Sequence, residues 1–108
     1  MEDRLQSAEC AERLKALADP DRLRMIQCLQ GGPKTVGALA ELLESPLAKV
    51  SHHLRVLYNA GVVRDEKQGR CVVYSLHPDV FRPKDRRQLT DALDFGCCRL
   101  HLGSARLR

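Results

Sequence analysis

The amino-acid sequence predicts a single, mainly α-helical domain with one small β-hairpin, and three observations support this fold class. Apolar residues recur at helical spacing in successive segments before Gly61, which indicates several short amphipathic helices. Only Glu44 and Ser45 separate two of these helices. After Gly61 the spacing changes to the period of two residues that is typical of β-strands. A chain of 108 residues has room for one small domain.

The first two helices are predicted from two apolar stripes and from the residues between them. The first stripe consists of Ala8, Ala11, Leu14, Leu17 and Ala18. Asp19 is a favourable N-cap for the second helix, and Pro20 suits its first position. Gly31-Gly32-Pro33 ends that helix. Its buried face is expected to contain Leu23, Met25, Ile26 and Leu29.

The next two helices predict a helix-turn-helix. Thr35 is the expected cap of the third helix, and the fourth runs from near Pro46 to Gly61. Two amphipathic helices joined by so short a connection must cross at a large angle. The apolar positions of the third helix are Val36, Leu39, Ala40 and Leu43, and those of the fourth, at i, i+4 and i+7, are Val50, Leu54 and Leu57.

The rest of the chain predicts a hairpin, a last helix and a tail. Val62 to Glu66 and Cys71 to Leu76 are rich in β-forming residues, and Lys67-Gln68-Gly69-Arg70 between them signals a turn. A final helix is expected from about Lys84 to Phe95, with Leu89, Ala92, Leu93 and Phe95 apolar. The domain is therefore expected to span residues 1–96. A short basic tail with a cysteine pair follows at residues 97–108.

The charge of the chain is positive and unevenly distributed. The net charge is +4, yet residues 1–45 contain eight acidic and six basic residues. Residues 46–76, which include the fourth helix and the hairpin, contain five basic and two acidic residues. This distribution suits a polyanionic partner. The sequence shows no membrane-spanning apolar run and no secretion signal at its N-terminus, so we expect a cytoplasmic location.

Three stretches, in this order and spacing, resemble the ArsR/SmtB family of winged-helix bacterial repressors. They begin Leu17-Ala18-Asp19-Pro20, Val50-Ser51-His52-His53 and Gly69-Arg70-Cys71-Val72, and the resemblance covers roughly residues 8–95. It implies a winged helix-turn-helix and a homodimer paired through the first and last helices. It also implies binding to palindromic double-stranded DNA near a promoter and release by an inducer. No cofactor is expected for DNA binding.

Enzymes and winged helices that bind only proteins are the two other classes of function. The sequence has no glycine-rich phosphate loop and no nucleophile elbow, so we expect no enzymatic activity. A winged helix that binds only proteins remains an alternative at this point.

The resemblance indicates which residues would contact DNA. Donor-rich side chains on a recognition helix suit phosphate oxygens and base edges, and an arginine at the tip of the wing suits a narrow minor groove. The family commonly places small polar residues just before the Val-Ser-His-His core, whereas this chain has Pro46-Leu47-Ala48-Lys49. The operator sequence therefore cannot be transferred from other members. The expected DNA contacts are Pro46, Leu47, Lys49, Ser51, His52, His53, Arg55, Lys67 and Arg70.

The two well-known metal sites of the family are absent from this sequence. The third helix contains no cysteine, and the segment from Lys84 to Phe95 contains no histidine. His52 and His53 are adjacent and lack the i, i+4 spacing that places two imidazoles on one helical face, so we expect no zinc site there.

The five cysteines indicate free thiols, metal ligation or redox sensing, because a disulfide framework is unusual in the cytoplasm. The adjacent thiols of Cys97 and Cys98 can ligate As(III) or another soft metal ion. Some arsenic-sensing members of the family carry such a pair near the end of the last helix. Cys10 of the first helix, from either protomer, is the expected third donor, because the first and last helices would adjoin in the dimer. The alternative is a redox-sensing or persulfide-sensing repressor that uses Cys28 with Cys97 or Cys98.

Overall fold

Four helices and two small antiparallel sheets form the part of the chain that the computed structural model describes, namely residues 2–82, 92–95 and 98–102. The helices are α1 (Glu2–Leu17), α2 (Pro20–Leu29), α3 (Val36–Leu43) and α4 (Leu47–Asn59). The first sheet contains β1 (Lys34–Thr35), β2 (Val63–Gln68) and β3 (Cys71–Leu76). The second contains β4 (Phe81–Arg82), β5 (Ala92–Asp94) and β6 (Arg99–Leu100).

The predicted caps of α2 and α3 are confirmed. The side chain of Asp19 accepts hydrogen bonds from the backbone N–H groups of Asp21 and Arg22, at 2.9 and 3.1 Å. Thr35 Oγ1 accepts one from the N–H of Ala38 at 3.1 Å. These bonds satisfy N–H groups that a helix start leaves without an intrahelical acceptor, so they fix where each helix begins.

The turn between α3 and α4 is as short as predicted. Glu44 adopts a left-handed conformation with φ 52° and ψ 48°, which reverses the chain at the end of α3. The N–H of Ser45 then bonds to the carbonyl of Ala40 at 3.0 Å. The two helices pack on each other, and the helix-turn-helix is confirmed.

The wing is a three-stranded sheet in the order β1-β3-β2. The β2–β3 ladder runs from Val63 opposite Leu76 to Gln68 opposite Cys71, so β2 is two residues longer at its end than predicted. A loop of only Gly69 and Arg70 is sufficient because Gly69 has a φ of 62°, and glycine at the first position of a two-residue hairpin loop adopts a positive φ without strain. Strand β1 is too short to show alternation in the sequence and was not predicted.

The prediction of a last helix is wrong for the residues of that segment that the structure describes. Ala92–Asp94 forms β5, which lies between β4 and β6 in the second sheet. Leu93 and Phe95 are buried, while Ala92 and Asp94, which alternate with them, are only partly buried. This period of two is that of a half-buried strand and gives the physical reason for the difference. Residues 84–91 of the expected helix, and Gly96, lie outside the described residues.

The buried face of α1 also differs from the predicted stripe. Cys10, Ala16 and Leu17 are buried, whereas Ala8, Ala11 and Leu14 are exposed, Leu14 by 38%. In the monomer, α1 thus packs inward through Cys10 and leaves most of its predicted apolar stripe facing outward.

The core is apolar and continuous from the helices into both sheets. Cys98, Leu100 and Leu102, which fall within the expected tail, pack against it. No helix within the described residues is long and apolar enough to cross a membrane.

Candidate nucleic-acid interface and thiol pair

The fourth helix separates an apolar inner face from a polar outer face. Val50, Leu54 and Leu57 have no exposed surface, as the spacing predicted. The expected DNA contacts on this helix are exposed, with the exception of His53. The exposed set is Pro46, Leu47, Lys49, Ser51, His52 and Arg55. This outer face therefore presents cationic, hydroxyl and imidazole groups to the solvent, together with the apolar Leu47.

The N-terminus of α4 is free of competing acids within its own first turn. Pro46 is the N-cap and makes no side-chain capping bond, and no acidic residue follows it in the first turn. Backbone N–H groups and the positive end of the helix dipole are available there, and both favour a phosphate. Lys49 adds a cation to the same turn.

The wing places Arg70 at its tip. Arg70 is the second residue of the two-residue loop, and Lys67 lies three residues earlier, on β2. Both side chains are exposed. The hairpin thus presents two cations to the solvent at and near its tip.

The prediction that His53 contacts DNA requires a correction, because its side chain is buried, with only 7% of its surface exposed. Arg22 Nη1 lies 3.1 Å from its Nδ1 atom, and Asp21 Oδ2 lies 3.8 Å from its Nε2 atom. The ring therefore faces α2 and the interior, so it offers DNA almost no surface. Adjacent histidines on a helix differ by about 100° in direction, which separates exposed His52 from buried His53.

Asp21 is the centre of a charged cluster that sequence reasoning missed. Its carboxylate lies 3.1 Å from Lys49 Nζ and 3.8 Å from Arg24 Nη1, besides facing His53. Lys49 and His53 lie one turn apart on α4, whereas Asp21 lies on α2. Only the packing of the two helices brings these groups together. Asp19 and Pro20 indicate only the start of a helix, and no local pattern in the sequence indicates that Asp21 pairs with a residue of α4.

Asp19, Asp21 and His53 also place one ligand-type atom each within 4.8 Å of one another, a grouping that could hold a metal ion. The surroundings oppose this. Arg22 contacts the ring of His53, and Lys49 already pairs with Asp21. The Asp19 carboxylate caps α2, and the backbone N–H of Arg22, followed by that of Asp21, holds the pKa of Asp19 below its ordinary value. We therefore interpret the group as an ion-pair network.

Two cysteines that are 88 residues apart in the sequence lie side by side. The sulfur of Cys10 on α1 is 3.7 Å from that of Cys98, and Cys10 is 2% exposed. Cys10 is disulfide-bonded in this structure, whereas Cys98 is a free thiol. Cys97, the third predicted ligand, lies outside the described residues. Arg13 supports the same junction by donating to the carbonyl of Phe95 at 3.5 Å.

The two remaining cysteines are in contrasting environments. Cys28 is a buried free thiol at the end of α2, and burial raises its pKa above the ordinary value, against the opposing charges of Lys34 and Arg24. Cys71 is free and exposed beside the loop of the wing. A raised pKa reduces the thiolate fraction at neutral pH, so Cys28 is poorly suited to act as a nucleophile.

The comparisons with known proteins agree with this architecture. A family model for a helix-turn-helix domain matches residues 17–66. The HTH-type transcriptional regulator NmtR of Mycobacterium tuberculosis is 40% identical over 101 residues, which are 94% of this chain and 80% of that protein.

Solved structures resemble the chain as well. Reduced HlyU from Vibrio cholerae is 33% identical with a TM-score of 0.65, over 70% of this chain and 80% of that one. The homodimeric winged helix-turn-helix DNA-binding domain of Mb0332 from Mycobacterium bovis, a possible ArsR-family regulator, is 27% identical with a TM-score of 0.65, over 68% of each chain.

The helix-turn-helix, its exposed basic face and the wing define a DNA-binding transcriptional regulator and not an enzyme. More particularly, the chain belongs to the ArsR/SmtB family of winged-helix transcriptional repressors: its similarity to NmtR extends over nearly its whole length, and the transcriptional repressor SmtB of Mycobacterium tuberculosis is 42% identical over 65 residues, which are 60% of this chain and 48% of that protein.

Proposed function

We propose that the protein is a homodimeric repressor whose α4 helix enters the major groove of a palindromic operator while the wing contacts the adjacent backbone or minor groove. The observation that carries this proposal is the partition of α4 into an apolar face with no exposed surface and an outer face of donors. Ser51 and His52 are assigned to base edges. Lys49, Arg55, Lys67 and Arg70 are assigned mainly to phosphates, and Pro46 and Leu47 to the approach of the helix.

The homodimer is supported by the outer face of α1. Ala8, Ala11 and Leu14 leave an apolar strip uncovered in the monomer, and a second copy would bury it. The relative Mb0332 is described as homodimeric. Two recognition helices would then read half-sites whose centres lie about 10 bp apart.

Sedimentation and footprinting test this part of the proposal. A dimer at micromolar concentration and protection of two half-sites in the DNA upstream of the coding sequence are expected. A protein that sediments only as a monomer and protects a single half-site would contradict it. A Leu14→Glu variant should sediment as a monomer with the same helix content, whereas Leu42→Glu, at an equally exposed leucine on α3, should remain dimeric.

We further propose that a thiophilic inducer, As(III) or a soft metal ion, binds Cys97 and Cys98 with Cys10 as third donor in the reduced protein. The support is the 3.7 Å between the sulfurs of Cys10 and Cys98. Two sulfurs at that distance can both bond to one metal ion, since a typical zinc–sulfur bond is about 2.3 Å long. The disulfide at Cys10 must be reduced first, because thiolates are the ligands of soft metals.

An inducer bound to Cys10, Cys97 and Cys98 could affect the DNA-binding helix of the same chain. Cys10 lies on α1, and α1 packs against α4. The outer strip of α1 is also the proposed dimer surface, so an inducer bound to α1 could alter the spacing of the two recognition helices. The inducer needs to favour the state that does not bind DNA by only about 1–3 kcal/mol for a 5–150-fold loss of affinity.

The decisive variant is Cys97→Ser with Cys98→Ser, in a DNA-release assay under reducing conditions. It should bind the upstream DNA as the wild type does but ignore arsenite and cadmium. Cys71→Ser is the matched control, since Cys71 is exposed on the wing and should leave release unchanged. Normal arsenite release by the double variant would disprove the thiol site.

A redox switch is the second candidate, and the disulfide at Cys10 favours it. The alternative predicted from the sequence uses Cys28, but the thiol of Cys28 is buried and its pKa is raised, which makes it a weak nucleophile, so the switch would use Cys10 in place of Cys28. Release of the wild type by persulfide or oxidant, but by neither arsenite nor cadmium, would favour this candidate.

A further inference from the structure

We propose that Asp21 acts as an internal competitor of DNA. In the free protein its carboxylate pairs with Lys49, and it thereby occupies the position beside Lys49 that a DNA phosphate takes when the protein binds DNA. This inference rests on the proposed DNA-binding face of α4. It adds a residue that contacts no DNA itself but sets how strongly the recognition helix binds any DNA.

The geometry shows a carboxylate at the start of the recognition helix. Asp21 Oδ2 lies 3.1 Å from Lys49 Nζ, and the two side chains are 29% and 52% exposed. Lys49 lies in the first turn of α4, where the backbone has no side-chain cap and no acid of its own. A carboxylate supplied by α2 thus provides the only counter-charge that the described structure places on Lys49.

The other contacts of Asp21 keep it in this position. Asp21 lies in the first turn of α2, where the helix dipole favours an acidic side chain. The Asp19 cap fixes the start of that helix. Nη1 of Arg24 lies 3.8 Å from the other carboxylate oxygen of Asp21, Oδ1, and Nε2 of His53 lies 3.8 Å from Oδ2. Because α2 and α4 pack together in the core, the carboxylate cannot simply follow Lys49 toward DNA.

Competition for Lys49 has two measurable consequences. A lysine that is already paired gains less from a phosphate, so Asp21 lowers the affinity for every DNA sequence. Binding by a protein with a paired Lys49 also releases the equivalent of one fewer counterion from DNA. The slope of log K against log salt concentration is therefore shallower by about 0.9.

The test is Asp21→Asn in the full-length protein, measured by fluorescence anisotropy on a duplex of the upstream DNA and on a random-sequence duplex. Affinity for both duplexes should rise about twofold to fivefold at moderate salt, because an exposed ion pair has been removed. The advantage over wild type should shrink about threefold between 50 and 200 mM salt.

Two controls isolate the contact. Asp79→Asn removes the same charge from an exposed loop residue and should change affinity much less. In a Lys49→Ala background, Asp21→Asn should lose most of its effect. Thermal unfolding establishes that each variant is folded, and Asp21→Ser is the substitute if the asparagine variant does not fold.

Unchanged or weaker DNA binding by folded Asp21 variants would overturn this inference, as would an equal gain from Asp79→Asn or an undiminished gain without Lys49. If the wild type bound neither duplex, the proposed DNA-binding function itself would be wrong. If the wild type bound DNA and Asp21→Asn left the affinity unaltered, only the inference about Asp21 would be wrong.

Discussion

Arg22 Nη1 lies 3.1 Å from Nδ1 of His53, and this contact joins α2 to the recognition helix. A guanidinium can only donate, so Nδ1 accepts and the neutral ring carries its proton on Nε2. That second nitrogen makes no hydrogen bond, although Asp21 lies 3.8 Å away. Nε of Arg22 also donates to the carbonyl of Ala16 at the end of α1. One arginine therefore connects three helices of the DNA-binding domain.

Replacing Arg22 by alanine should destabilise the fold. The buried Nδ1 of His53 would lose its donor, and a buried acceptor without a partner costs about 1–3 kcal/mol. Urea unfolding measures the change in the free energy of unfolding. Arg24→Ala on the same helix is the control, because Arg24 is 43% exposed and its ion pair spans 3.8 Å, so its effect should stay within about 0.5 kcal/mol. Equal losses in the two variants would contradict the assigned role.

Replacing Asp19 by asparagine should change how stability depends on pH. Hydrogen bonds from the backbone N–H groups of Arg22 and Asp21 lower the pKa of Asp19 below its ordinary value of 3.8. A carboxyl with a lowered pKa stabilises the folded state above its unfolded pKa. This contribution begins to fall near pH 3.8 and is lost as the pH drops through the folded value.

The measurement is the urea midpoint of wild type and Asp19→Asn across acidic pH. The advantage of the wild type should be present at neutral pH and should disappear in acid. Asp65→Asn, at an exposed position on β2, is the control, because it removes a carboxylate that caps no helix. A constant difference between wild type and Asp19→Asn at every pH would count against a charged cap.

His52 and Arg70 should have different effects on DNA binding. His52→Ala should reduce discrimination between operator and random DNA by about 1–3 kcal/mol if the imidazole contacts a base edge. Arg70→Ala should weaken binding to both DNAs and reduce the salt slope by about one ion. Salt titrations on both duplexes separate the two effects. Identical salt slopes and identical sequence preferences in the two variants would rule out this division of labour.

The thiols of Cys28 and Cys71 should differ in their rate of alkylation. Cys71 is exposed, whereas burial covers Cys28 and raises its pKa, so both access and thiolate fraction favour Cys71. Mass spectrometry after brief iodoacetamide treatment at neutral pH should find Cys71 modified first. In urea the two rates should become similar. Rapid modification of Cys28 in the folded protein would restore it as a candidate for redox sensing.

The features that depend on neighbouring residues could be predicted from the amino-acid sequence. Asp19 and Thr35 cap their helices, the short connection at Glu44 makes the helix-turn-helix, and Gly69 allows the tight hairpin loop. Each of these depends on local conformational preferences or on the period of apolar residues, which a few consecutive residues express completely. For the same reason the inner and outer faces of α4 were predicted correctly apart from His53.

The features that depend on contacts between distant segments could not be predicted, because they arise only when the helices and strands pack together. Burial of His53 requires Arg22 and Asp21 from α2, and the Asp21–Lys49 pair depends on how two helices pack. The sequence left open which protomer would supply Cys10, and the fold places Cys10 beside Cys98 within one chain. Between Ala92 and Phe95, pairing with other strands overrode a weak helical pattern, because short apolar segments fit either period until a neighbouring strand supplies hydrogen bonds.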